Sequence, residues 1–318
     1  MAVGAAPTPG IVLVNPSQML RRALRSINID EKTQNRRLRS TNIRTFKANF
    51  GKHPLHLCRV WRDLQTTNIE AAKIDQAEAS SPKAYKGCLI ANHFLKTYGS
   101  DDVRAAQFGG MDPKLLNTLT WIYVWKIAAL KPDKIVWPDE DEWQTVFIAS
   151  VDGTHYRTNE PRDPDMRKNP KNYSHKFHLP GLNYEITLHL WLPRCIHAKT
   201  GDPASINDKT AFRQELKGKV PLGKRIICDN GYVCFQYGDD KILSFPNTLD
   251  TAELKEFKQL ACARQENFNK RLKDYRCLRD TFRHGAAKHQ VCFDAVLVLV
   301  QYAIEDTTPG IGEPLNQL

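Results

Sequence analysis

"TVFIASVDGTHYR" at 145–157 and "LNYEITLHLWLP" at 182–193 decide the fold of this chain. The first is an apolar run rich in β-branched and aromatic residues that reaches Asp152 and Gly153, where the strand is expected to end. The second alternates, with Tyr184, Ile186, Leu188, Leu190 and Leu192 on one face until Pro193 stops it. "RCIHAKTG" (194–201) supplies a shorter partner strand, so the region opens as an antiparallel run. A helix follows in "INDKTAFRQEL" (206–216), entered near Asp208, and then another short apolar strand in "GKRIICDNGYVCF" (223–235), ending on Asp229, Asn230 and Gly231. "KILSFPN" (241–247) is a further short strand, and two helices close the series, the last being "VCFDAVLVLVQYAI" (291–304). Three strands, helix, strand, strand and two helices predict an α/β layer fold with a mixed sheet.

Upstream the texture differs. Residues 1–45 join a Pro/Gly/Ala tail to "LRRALRSINIDEKTQNRRLRSTNIR", a basic arm expected to be flexible or partly helical. Residues 46–138 carry helical spacing, with Phe46, Phe50, Leu57, Val60, Trp61 and Leu64 recurring around a Gly-Lys-His-Pro turn, and with "AEASSPKAYKG" (77–87) expected as a loop. Within that zone, Ser100 and the Asp101–Asp102 pair suit a helix start, Gly109 and Gly110 a turn, and Asp112 before Pro113 a second N-cap. The spacing is that of a helix-turn-helix, but a second helix crowded with Leu, Trp, Ile and Val reads as a packing unit more than as a DNA reader. The organisation expected is therefore an arm over 1–45, a helical region over 46–138 and an α/β domain over 139–318.

The charge balance is 46 Lys plus Arg against 35 Asp plus Glu, a formal +11, which favours polyanions, nucleic acid foremost. No apolar stretch reaches membrane-spanning length, because Asp294 and Gln301 interrupt the longest, and no membrane partner is expected. The N-terminus lacks a basic n-region and an apolar h-region, so export is not expected. Eight cysteines without a C-x-x-C pair argue against a zinc finger or a disulfide scaffold and for reduced thiols.

Asp152 and Asp229 share a context: each ends a nearly all-apolar strand, which would set each carboxylate at the lip of a sheet, where open sheets place ligands. Taken singly, each is better explained as a turn former in Asp-Gly or Asp-Asn-Gly, and it is the pair together with a later acid that points beyond a turn. Glu266, in "ARQENFNKRLKDYRCLRDTFRH" (263–284), adds a third acid. At 100° per residue, Phe257, Leu260, Phe268, Leu272, Tyr275, Leu278 and Phe282 gather on one side, and Glu266 lies opposite with Asn269, Lys270 and Lys273. A carboxylate there suits a hard divalent cation and the amide and ammonium groups suit phosphate; the plain alternative is an ion pair between Glu266 and Lys270 on a solvated helix.

Taken together, Asp152 in "VDGTHYR", Asp229 in "CDNGY" and Glu266 in "ARQENFNKRLK" resemble the three signature blocks of DDE transposases of the PIF/Harbinger type. "INDKTAFR" is similar to the block between the first two acids, and "HFLKTYGSDDVRAAQFGG" to the helical segment before the catalytic domain. The resemblance runs in order over about 46–304. It implies an RNase H-like core, Asp152, Asp229 and Glu266 as catalytic metal ligands, and Mg²⁺ (or Mn²⁺), two ions, as cofactor. It also implies double-stranded DNA (transposon ends or target) as partner, a homodimer on DNA, and a separate DNA-binding accessory protein. The nucleus is the expected location, or the cytoplasm in a prokaryote. Asp208 is expected as a helix N-cap. Arg264, Asn269, Lys270, Arg271 and Lys273, with the loop 162–176, are candidates for a DNA track, and His155, His284 and His289 for phosphate contacts or structural hydrogen bonds. Two other readings fit the same residues: a domesticated, catalytically silent DNA-binding or scaffold protein, and an RNA-directed RNase H-like nuclease.

Overall fold

The computed structural model describes residues 10–32, 36–143, 145–160, 164–174, 178–232 and 238–306. The chain divides into two compact units, the described residues of Met1–Lys131, Asp274–Cys277 and Val291–Ala303, and those of Pro132–Lys273, Leu278–Gln290 and Ile304–Leu318.

The first unit contains the helices α1 (Pro16–Ser26), α2 (Arg36–Phe50), α3 (Pro54–Thr66), α4 (Gln76–Ser80), α5 (Pro82–Thr97), α6 (Asp101–Gln107) and α7 (Pro113–Ala128). α1 starts at a reciprocal cap, Asn15 accepting from the Gln18 amide while the Gln18 side chain accepts from the Asn15 amide. Within the basic arm, α1 buries Met19, Ala23 and Leu24, so its described part carries an ordered helical face. The stretch expected as a loop at 77–87 is instead α4 and the start of α5. Asp75 caps the first by accepting from Glu78 N at 2.7 Å, and Ser81 caps the second by accepting from Lys83 N at 3.2 Å. Ser81-Pro82 is a helix entry rather than a break, because proline at the first helical position lacks only an N–H that would have no partner. The Gly109-Gly110 turn adopts left-handed φ of +81° and +73°, and Asp112 caps α7 through Leu115 N at 2.9 Å. Buried Arg104 of α6 donates to Thr120 Oγ1 of α7 at 2.6 Å and to Ile90 O at 3.3 Å, as a packing unit requires. Trp121 is buried, while Trp125 is exposed.

α8 (Lys131–Lys134) precedes the sheet. Among the described residues six strands form it: β1 (Phe147–Arg157), β2 (Gly181–His189), β3 (Cys195–Ala198), β4 (Asp202–Pro203), β5 (Arg225–Ile227) and β6 (Leu243–Ser244). Their order is β3-β2-β1-β5-β6, with β4 also on β2. β1 pairs antiparallel to β2 and parallel to β5, and β5 pairs parallel to β6, so the sheet is mixed. The remaining helices are α9 (Pro164–Lys168), α10 (Asp208–Gln214), α11 (Ala252–Lys273), α12 (Arg276–Arg279) and α13 (Ala286–Glu305). One apolar cluster joins Trp143, Val151, Phe212, Leu216, Ile226 and Tyr232, and a second joins Leu190, Ile227, Phe257 and Ala261. The sheet thus carries α10 on one face and α11 on the other. This α/β architecture, a mixed sheet flanked by helices after a helical N-terminal region, is consistent with an RNase H-like fold. No helix among the described residues is long and apolar enough to cross a membrane.

Two expectations are corrected here. β1 does not stop at Asp152 but continues to Arg157, because Thr154, His155 and Tyr156 pair with Tyr184, Asn183 and Leu182 of the long neighbour β2. The polar positions of β2 are buried as well. Asn183, Glu185, Thr187 and His189 are buried alongside Tyr184, Ile186 and Leu188, since helices cover both sides. The apolar stripe of α11 also loses Leu260, which is exposed, and α11 ends at Lys273, so Tyr275, Leu278 and Phe282 lie beyond it.

Candidate active site

Strand and helix periods meet over Asp152. Residues two apart on a strand share a face about 6.6 Å apart, and residues four apart on a helix share a face about 6 Å apart. Ser150 and Asp152 of β1 therefore match Gln265 and Asn269 of α11. Ser150 Oγ donates to Gln265 Oε1 at 2.9 Å, Gln265 Nε2 donates to Ile186 O at 3.0 Å, and Asn269 Nδ2 donates to Asp152 Oδ2 at 2.6 Å. Asn269, expected on an outward face for phosphate, is buried and holds the Asp152 carboxylate instead. Gln265 is the amide that pins the helix to the sheet, and its neighbour Glu266, turned by 100°, is left exposed at the edge of a cleft.

That cleft, about 50 Å³ in volume, is lined by Asp152, Asp229 and Glu266 together with Cys262 and Ile227. The three acids singled out in sequence come from β1, from the turn after β5 and from α11, and they line the same cavity. Asp229 is a turn former as well: its Oδ1 accepts from Gly231 N at 2.8 Å. No ion pair joins Glu266 to Lys270 among the described residues, so the solvated-helix account lacks the contact it needs; Lys270 itself is exposed.

The acids crowd one another. Burial pushes Asp152 up to about 7, and the neighbouring charges of Asp229, Asp208 and Glu266 add to it against the pull of the Gly153 amide. Charge of one sign packed around a half-buried carboxylate is a donor set for a hard cation. Among the described residues no group of three or more His, Cys, Asp or Glu side chains is placed so that it could by itself hold a metal ion.

Other candidates fall elsewhere. His155 lies an odd number of residues from Asp152 along β1 and so faces the other side, with Nδ1 3.4 Å from Ser174 Oγ. His289 is fully buried against Tyr184 OH at 2.8 Å, and burial drops it to about 3; it is structural. His284 packs edge-on to Phe282. Arg264 leaves the expected DNA track, because its guanidinium donates to the carbonyls of His189, Leu190 and Leu192 at 2.7, 2.7 and 2.6 Å and so ties α11 to the end of β2. Lys273 Nζ stands 5.4 Å from the Tyr156 ring centroid, and Arg271 is half-buried. Residues 162, 163, 175 and 176 of the basic loop lie outside the described residues.

Two further acids near the site were not among the ligands expected from the sequence. Asp208 is not the cap of α10. Asn207 is, accepting from Thr210 N at 2.9 Å, and Asp208 is the first helical residue, with Oδ1 accepting from Asn183 Nδ2 at 3.2 Å. Glu185 sits opposite Gly153 in the β1–β2 ladder, 2% exposed, with Tyr232 OH donating to Oε2 at 3.4 Å. Burial raises it to about 8, with Lys199 opposing. A polar residue in an alternating strand was the signal available, and only a helix on that face makes it a buried one.

No curated protein and no solved structure matches the chain. Residues 151–301, which hold Asp152, Asp208, Asp229 and Glu266, match the family model described as DDE superfamily endonuclease, and the match supports a DDE transposase-like family for that span.

Proposed function

We propose that the protein is a metal-dependent DNA endonuclease or transposase of the PIF/Harbinger type, hydrolysing and rejoining phosphodiesters with Asp152, Asp229 and Glu266 as ligands of two Mg²⁺ or Mn²⁺ ions. The observation that carries this reading is the convergence of these three acids, far apart in sequence, on one cleft within the span similar to DDE endonucleases. When bound, divalent ions stabilise the charge on the attacking and leaving oxygens of the phosphodiester. The chain supplies the frame. Asn269 fixes the rotamer of Asp152, the Gly231 amide fixes that of Asp229, and Gln265 sets the height of α11 so that Glu266 meets the cleft edge. Lys270, exposed one turn past Glu266, offers an ammonium to a DNA phosphate beside the cleft. The net +11 draws duplex DNA toward it. Two transposon ends need two active sites, so the working form is a homodimer on DNA, assisted in site choice by a separate DNA-binding protein and acting in the nucleus, or in the cytoplasm of a prokaryote.

Nicking of supercoiled DNA in Mg²⁺ or Mn²⁺, beside an RNA–DNA hybrid of equal length, tests the proposal. Wild-type protein should nick duplex DNA, stop on chelation, and lose activity in Glu266→Gln, Asp152→Asn and Asp229→Asn while still binding DNA. Preference for the hybrid would make it an RNA-directed nuclease. DNA binding without any cleavage would make it a silent scaffold.

A further inference from the structure

The glycines beside two of the acids share a neighbour. A Cβ on Gly153, next to Asp152, would overlap Oδ1 of Asp208, and one on Gly231, two residues past Asp229, would stand 3.3 Å from Asp208 Oδ2. The Asp208 carboxylate is therefore wedged between β1 and the turn after β5, each bare of a side chain at that point. Asp229 Oδ1 lies 3.0 Å from the same Gly231 position, so oxygens of both acids flank one small space. A second, independent feature points into this region. Asn183 is 2% exposed; its Nδ2 donates to Asp208 Oδ1 and to Ile206 O, but its Oδ1, 3.4 Å from the Gly153 position, has no hydrogen-bond partner among the described residues. A buried amide oxygen with nothing to accept is costly, and a cation or its bound water is the kind of group that satisfies it. Helix capping does not account for Asp208, because Asn207 already performs it.

We infer that Asp208 is a fourth carboxylate of the acidic site, taking up with the Asn183 amide oxygen, directly or through bound water, a divalent cation that Asp229 also contacts. This rests on the reading of Asp152, Asp229 and Glu266 as cation ligands. Carboxylate, amide carbonyl and water are the ligand types that hard divalent ions select. The two glycines then have a joint purpose: each removes a side chain that would push the fourth acid out of reach.

The test is calorimetric titration of Mn²⁺ into metal-free full-length protein, with thermal unfolding of the same samples. Asp208→Asn keeps the size and the acceptor for Asn183 Nδ2 but removes the charge. It should weaken Mn²⁺ binding by on the order of 10- to 100-fold, while the metal-free melting temperature stays level or rises, because one like charge leaves the cluster. An acid serving only the helix start predicts the reverse, a lower metal-free melting temperature with unchanged Mn²⁺ affinity, and that result overturns the inference. Asn183→Ala removes the orphaned oxygen and gives the same readout should Asp208→Asn not fold; unchanged Mn²⁺ affinity there also counts against the inference. Wild-type protein that binds no Mn²⁺ would remove the three-acid reading and this one together. Binding weakened by Asp152→Asn but untouched by Asp208→Asn would remove this one alone.

Discussion

Replacing Glu185 by Gln should make the metal-free protein more stable, and increasingly so as pH rises. Glu185 lies in the middle of β2, 2% exposed, with Oε1 lacking a hydrogen-bond partner among the described residues and Oε2 accepting from Tyr232. Burial lifts its carboxyl to about 8 from an ordinary 4.5. A group whose folded pKa is raised adds nothing unfavourable below the unfolded value, and it withdraws stability progressively until pH passes the folded value. The window is therefore from about pH 4.5 to pH 8, with a slope near 1.4 kcal/mol per pH unit. Gln matches the neutral carboxyl in size and still accepts from Tyr232, yet it has no proton to lose. Between pH 5 and pH 9 the advantage of Glu185→Gln over wild type should grow by about 4 kcal/mol. Urea unfolding in chelator, followed through tryptophan fluorescence, reads this as a widening gap between midpoints. A gap of constant size across that pH range would mean that Glu185 is ionised in the fold, and would refute the argument.

Asn269→Leu should keep the packing of α11 but release the Asp152 carboxylate from its 2.6 Å donor. Turnover in the nicking assay should fall by roughly 10- to 100-fold, as for other partners of metal ligands, with stability changed by no more than about 1 kcal/mol. Arg264→Ala strips the donors from three carbonyls and should destabilise by roughly 2–4 kcal/mol in urea melts, while leaving the salt dependence of DNA binding unaltered. Lys270→Gln should do the opposite, holding stability and reducing the log–log salt slope by about 1. Gly153→Ala drives a methyl into the Asp208 carboxylate and should destabilise by about 1–3 kcal/mol. Adding Asp208→Ala should recover most of that loss, and strictly additive losses in the double variant would show that the two positions do not meet.

The legible part of the site was the part written in local chemistry. Asp152 and Asp229 stood out because each interrupts an apolar run, and Glu266 because helical phase separates it from Phe257, Phe268 and Leu272. Arg264 misled for a physical reason. A cationic side chain looks the same in sequence whether it faces a phosphate or a carbonyl, and only the position of the β2 end decides between them.

Period and turn chemistry are properties of adjacent residues, so the chain alone determined the order of the main strands and helices of the α/β region, the apolar character of the central strands and the excess of positive charge. The pairing of strands and the covering of faces depend on residues far apart, and these belonged to the tertiary structure. It extended β1 past Asp152 by giving it a long partner in β2, and it buried Asn183 and Glu185 by laying helices on both sides of the sheet. It also turned Asp208 from a presumed cap into a neighbour of Gly153 and Gly231. A carboxylate's role follows from the dielectric and the charges around it, and those surroundings come from segments that share no local signal with it.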